Sequence, residues 1–183
     1  FGVRIPVLRA LAKKIKINHQ LALELWNLGY RETKILAGFI ADIKQVDDKL
    51  VEKWVKEFES WEDCDQTCIS LFWKLPHASE KAIEWTKRKP EFEKRAGFAL
   101  MAVLAWKDKK AGDEKFVGFF PEIKKQAVFA LTQLRDKEGI PPLIEIAKSH
   151  PEPEVRKQAI FWLGQSNDPR AVETLIEIAR QTR

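Results

Sequence analysis

Cysteine, methionine, tyrosine and glycine are all scarce in this chain, whose 183 residues hold 2 Cys, 1 Met, 1 Tyr and 8 Gly. Two cysteines cannot build a disulfide framework, and so little glycine excludes a collagen-like repeat. No apolar run approaches the roughly 18 residues a membrane span needs. Sustained period-2 alternation is also missing, which removes β-strands as the main element. What is present is 45% hydrophobic against 32% charged residues, enough to bury a sizeable core under a charged surface. A disordered chain is excluded on that ground. The expectation is a reduced, soluble, cytoplasmic monomer without membrane contact. Phe1 rather than Met opens the chain, and no basic segment followed by an apolar one marks a signal peptide. A formal net charge of +5 and a pI near 9.1 lean modestly towards an anionic partner.

Apolar residues recur three and four positions apart from end to end, so the fold is predicted to be all-α. Pro6 with Leu8, Leu11, Ala12 and Ile15 opens one helix, and Asn18 caps a second carrying Leu21, Leu25 and Leu28. Further helices are expected at about 30–41, 47–59, 61–74, 78–88, 91–107, 113–119, 122–134, 139–149, 153–165 and 168–181. An internal repeat organises the second half. Residues 121–131 (PEIKKQAVFAL) match 153–163 (PEVRKQAIFWL) at an offset of 32, and the match continues through Asp136/Asp168 into 143–147 and 175–179, both LIEIA. A weaker echo aligns 94–100 with 125–131. One helix pair cannot bury its own apolar stripe, so successive antiparallel pairs should stack into an α-solenoid of the HEAT type with a concave basic groove. Residues 1–120 form one expected region, and 121–183 two regular repeats continuing it.

If the helices beginning near 61, 91, 122 and 153 are second helices of successive pairs, side chains about 30 positions apart stand side by side. Lys94 and Arg95, Lys124 and Lys125, and Arg156 and Lys157 then make a basic lane suited to phosphates. The competing reading is a set of solvated first-turn residues without a ligand.

Ser60 followed by Asp63 is a capping-box pattern that makes Trp61 the first helical residue and explains Asp63 as a cap. Asp65 has no such explanation. Its spacing from Trp61, Cys68 and Phe72 puts it in the apolar seam of its helix, and Arg95 repeats the oddity among Phe92, Ala96, Ala99, Leu100 and Val103. One reading is a buried or half-buried ion pair that fixes the register of two repeats. The other is an anion, a cation and the Trp61 ring converging on a ligand in the groove. Cys64 and Cys68, four apart, read as buried thiols rather than metal ligands, since no second ligand pair exists. Trp54 and Trp85 read as core, and Trp162 as either a groove aromatic or a plug.

The segment Phe1–Arg9 (FGVRIPVLR), the Trp61-x-x-x-Asp65 motif and the segment Phe92–Leu100 (FEKRAGFAL) together resemble the bacterial DNA alkylation repair glycosylases of the AlkD type, over roughly residues 1–120. The resemblance implies a HEAT-like solenoid that cradles duplex DNA and hydrolyses the N-glycosidic bond of N3- or N7-alkylated purines, without metal or cofactor. It assigns the catalytic carboxylate to Asp65 and ligand contacts to Trp61 and Arg95. It also calls for an aromatic in a later helix, where Phe129 stands here. Phe129 equally matches Phe161 in the 32-residue repeat, as a core residue would. Lys94, Lys125 and Arg156 complete the expected DNA-binding set. Two rivals remain: a non-catalytic HEAT scaffold for a protein partner, and a protein that binds distorted duplex without cleaving it.

Overall fold

Helix starts in this chain follow from the side chains just before them. In the computed structural model, which describes residues 2–109, 112, 114–134 and 137–181 with the side chains of 115 and 181 left aside, Asn18, Asp47 and Ser60 each accept a hydrogen bond from a first-turn N–H. Prolines near the first helical position open four other helices. Among the described residues every regular element is helical. These are α1 (Ile5–Ile15), α2 (His19–Asn27), α3 (Arg31–Ile40), α4 (Asp48–Lys56), α5 (Trp61–Ser70), α6 (Ala78–Thr86), α7 (Glu91–Lys107), α8 (Glu114–Val117), α9 (Phe120–Thr132), α10 (Ile140–Ser149), α11 (Pro153–Gln165) and α12 (Pro169–Gln181). The helix expected at 61–74 stops at Ser70, and Phe72–Lys74 follows as a separate 3-10 turn. A further 3-10 turn, Ile43–Gln45, had no signal in the apolar spacing.

The chain divides into two compact units, Phe1–Lys115 and Phe116–Arg183. In the first, α2 packs on α3, α6 on α7 and α4 against α7, and α3, α5 and α7 pack side by side. The pairs are joined by a line of aromatic rings. Trp26 stacks on Trp54 at 4.0 Å, and Phe58, Phe72 and Trp85 continue the line at 5.6–6.1 Å. Trp26, Trp54 and Trp85 are almost wholly buried, the last two as their spacing predicts, and truncating such a ring costs about 3–5 kcal/mol. The indole N–H of Trp26 donates to Glu57 at 2.7 Å, so that buried donor is satisfied.

Small residues let the helices approach. At Gly97, an added Cβ would stand 2.5 Å from the Thr86 amide nitrogen and 2.7 Å from the Ala82 carbonyl, so α6 and α7 are in near backbone contact there. Lys34 on α3 is buried, and its ammonium donates to the Glu57 carbonyl at the end of α4 (2.6 Å) and to Glu59 (3.0 Å). A cation there satisfies a helix C-terminal carbonyl and opposes the negative end of the dipole.

The second unit has an aliphatic core: Val128, Ile140, Leu143, Ala147, Val155, Ala159, Leu163 and Ala171, with Leu131, Ile160, Trp162 and Leu175 packed against it. These are the positions that the 32-residue repeat equates, such as Leu131 with Leu163 and Leu143 with Leu175. Asp136, which the repeat equates with Asp168, lies outside the described residues. Asp168 accepts from the Arg170 backbone N–H at 3.0 Å in the first turn of α12.

Candidate functional site

The N-terminal end of α5 is fixed by a closed set of hydrogen bonds. The Ser60 hydroxyl accepts from the Asp63 N–H at 3.2 Å, and the Asp63 carboxylate accepts from the N–H groups of Glu59, Ser60 and Cys64 at 2.8–3.2 Å. Asp63 is buried and engaged with backbone N–H groups, and so belongs to the fold. Trp61, the first residue of α5, is 57% exposed.

Asp65 stands one turn beyond Trp61. Its carboxylate accepts from the Arg95 guanidinium at two points, Nε to Oδ1 at 2.9 Å and Nη2 to Oδ2 at 2.7 Å. The Asp65 and Arg95 side chains are 23% and 44% exposed. The expectation that both lie in apolar seams is therefore corrected. The seam of α5 runs through Cys64, Thr67 and Cys68, and that of α7 through Ala96, Gly97, Leu100, Met101, Val103 and Leu104. Asp65 and Arg95 are each one residue round from the buried stripe, about 100° on a helix, and that turn opens them to solvent. Their pairing across one repeat is as the spacing predicts. The hydrogen bond to Asp65 holds the Arg95 guanidinium above its ordinary pKa. An exposed pair is worth only about 0–1 kcal/mol to the fold, so its bidentate geometry is chiefly positional.

Behind the pair, the Cys64 and Cys68 thiols donate at 3.7 Å to the Phe92 and Ala96 carbonyls of α7. Both are buried, and the hydrogen bond with Cys64, together with burial, pushes the Cys68 thiol well above its usual pKa. They are packing groups, which matches their sequence reading.

Two features beside Asp65 were given no role by the sequence. Arg9 donates from Nη2 to the Gln66 side-chain oxygen at 3.1 Å, and its guanidinium lies 5.5 Å from the Phe39 ring centroid. Arg31 donates to Glu32 at 3.0 Å and to Glu62 one repeat on. Glu32 also accepts from the Val3 N–H at 3.2 Å, which ties the 1–9 segment to α3. The hydrogen bond from Arg31 lowers the Glu32 carboxyl pKa to about 2. The segment's motif was visible in the sequence, but the partners Gln66 and Phe39 lie too far along the chain for any local pattern to pair them with Arg9.

Lys94 is half-buried. The remaining members of the expected basic set have partners close by. Lys124 pairs with Glu152, Lys125 with Glu122 at 3.3 Å, and Lys157 with Glu154 at 2.7 Å. Arg156 donates to the carbonyls of His150 (2.5 Å) and Pro151 (3.0 Å), closing the turn before its own helix. Phe129 is half-buried, its ring centroid 5.2 Å from that of Trp162, which in turn packs on the second unit's core. Phe129 is thus a packing residue of that unit. Trp162 is a half-buried plug rather than an open aromatic.

Comparisons with known proteins bear on both parts of the chain. Residues 117–183 match HEAT repeats. One solved structure, described as "a new family of proteins related to the HEAT-like repeat DNA glycosylases with affinity for branched DNA structures", superposes over 100% of this chain and 83% of its own, with a TM-score of 0.61 and 21% identity. That likeness establishes the α-solenoid fold. No curated protein matches the chain. Residues 1–127, which contain Trp61, Asp65 and Arg95, match the family described as DNA alkylation repair enzyme, and the chain belongs to that family.

Proposed function

We propose that the chain is a DNA glycosylase that hydrolyses the N-glycosidic bond of N3- or N7-alkylated purines in duplex DNA, with Asp65 as the catalytic carboxylate. The observation that carries this reading is the half-exposed Asp65 carboxylate, gripped by Arg95 at 2.7–2.9 Å and flanked by the exposed Trp61 ring, on the family's own stretch of sequence.

An N3- or N7-alkylpurine already bears positive charge. When its glycosidic bond breaks, the bonding electron pair goes to the base, which leaves as a neutral molecule. The sugar becomes oxocarbenium-like, and water adds at C1′ and loses a proton to solvent. No acid is needed for the leaving group, and no cofactor. A carboxylate about 4 Å from the sugar, at an effective dielectric near 20, contributes roughly 4 kcal/mol, on the order of 10³ in rate. Trp61 adds a cation–π contact of about 0.5–2 kcal/mol to the cationic nucleotide. Arg95 neutralises Asp65 in the free chain. A DNA phosphate that draws the Arg95 fork to itself leaves Asp65 as an uncompensated anion facing the sugar.

The test is release of methylated purine from alkylated duplex DNA. The wild type should release base and Asp65→Asn should release it roughly 10³-fold more slowly. No release by the wild type, or equal release by the variant, sinks the assignment. A second reading is favoured by the Arg95 fork that covers Asp65: binding of distorted or branched DNA without cleavage. It predicts tight junction binding with every base left attached.

A further inference from the structure

The solvent-facing stripe of α7 does not end at Arg95. Ala102 and Trp106 are exposed as well, and Trp106 lies about three helical turns and about 16 Å beyond Arg95 along the axis. On the neighbouring helix, Trp61, Asp65 and Ile69 are followed at the same four-residue spacing by Trp73, in the 3-10 turn after α5. The first unit therefore carries two chemically active ends on one stripe, with Ile69 and Ala102 between them.

At the second end two lysines stand beside two indole rings. The Lys107 ammonium lies 4.4 Å from the ring centroid of Trp106 and 5.9 Å from that of Trp73. Lys74 stands close enough that burial and the charge of Lys107 both depress its pKa. Glu80 and Asp108 line a surface cavity of about 570 Å³ together with Trp73 and Lys74. Trp106 is 61% exposed, more than Trp61. A purely structural cluster would bury the indole. It stays open here.

We propose that Lys74, Lys107, Trp73 and Trp106 form a second nucleic-acid contact that takes an unpaired nucleotide, its phosphate held by the two ammonium groups and its base stacked on the open face of Trp106. Ammonium groups beside an exposed aromatic plane are the pairing that single strands require, because every base offers a π-face and every linkage a charge. An acidic protein segment would satisfy the lysines but would leave the indole plane without a use. The inference rests on the chain being a DNA binder and is independent of whether Asp65 cleaves.

The experiment compares binding of the full chain, at one salt concentration, to a blunt duplex and to the same duplex with a short single-stranded tail. The wild type is expected to prefer the tailed duplex by roughly 10-fold, a range typical of one base–aromatic stack. Trp106→Ala, and Lys74→Ala with Lys107→Ala, should abolish the preference while leaving blunt-duplex affinity and the melting midpoint unchanged. Trp106→Phe should keep most of it. Equal affinity of the wild type for the two duplexes, or a preference that survives Trp106→Ala, overturns the proposal. So does capture of poly-glutamate that depends on the lysines and not on Trp106. Missing tail preference with blunt-duplex binding intact counts against this patch alone. Absence of all duplex binding counts against the DNA reading of the Asp65 site as well.

Discussion

The two units bury comparable helix pairs with different side chains. In Phe1–Lys115 the pairs are joined by Trp26, Trp54, Phe58, Phe72 and Trp85, and the fifth residues of successive second helices are chemically unlike: Ile35 on α3, Asp65 on α5, Arg95 on α7. In Phe116–Arg183 equivalent positions carry like residues, the core is aliphatic, and the exposed lysines meet nearby glutamates, as in Lys125–Glu122, Lys148–Glu177 and Lys157–Glu154. Stacking alone asks only for the regular pattern. Side chains that change from one repeat to the next, with open rings beside them, are chosen for something besides stacking.

The largest expected effect that separates the units is on catalysis. Asp65→Asn should slow release of alkylated purine by roughly 10³-fold, whereas Lys125→Ala and Arg156→Ala, whose partners are local, should leave the rate near wild type. Equal losses from both regions would erase the contrast. Arg95→Gln should weaken duplex binding and flatten its salt dependence by about one phosphate contact, read from affinities across a salt series.

Two glycines sharpen the comparison with opposite signs. Gly97→Ala pushes a methyl group against the α6 backbone and should destabilise the first unit by about 1–3 kcal/mol. A Cβ at Gly164 on α11 meets nothing within 4 Å, so Gly164→Ala should stabilise the second unit by about 0.5–1 kcal/mol. Denaturant unfolding of the two variants checks both; a shift of the same sign in each would contradict the packing described here.

The smallest effect is in acid. With its pKa held at about 2 by the Arg31 hydrogen bond, against 4.5 ordinarily, the Glu32 carboxyl contributes stability that is complete above about pH 4.5 and lost as pH falls towards 2. Arg170 holds Asp168 of the second unit at about 2 as well. Glu32→Gln should remove part of the fall in melting midpoint over that window, and Asp168→Asn a separate part. An unchanged pH profile in Glu32→Gln would mean the Val3–Glu32–Arg31 knot is not formed in solution.

Much of this was legible before any coordinates. The capping box at Ser60 and Asp63, the burial of Trp54 and Trp85, and the 30-residue step from Asp65 to Arg95 all rest on local geometry or a fixed repeat, which spacing reads directly. The orientation of Asp65 was not legible, because adjacent stripes of a helix share the same three-and-four periodicity and only the packed neighbour selects between them. The fate of Phe129 was open for a similar reason, until its contact with Trp162 decided it. The partners of Lys125 and Arg156, Glu122 and two turn carbonyls, were not legible, because they depend on rotamers.

The chain's own pattern of apolar residues and caps determined an all-helical, repeating architecture, since hydrophobic periodicity and first-turn hydrogen bonds act within a few residues. The tertiary structure alone decided which charges meet acids, which rings stay open and which carboxylate faces solvent. The Asp65–Arg95 and Arg9–Gln66 contacts join side chains 30 and 57 positions apart, brought within reach only when one helix pair settles on the next.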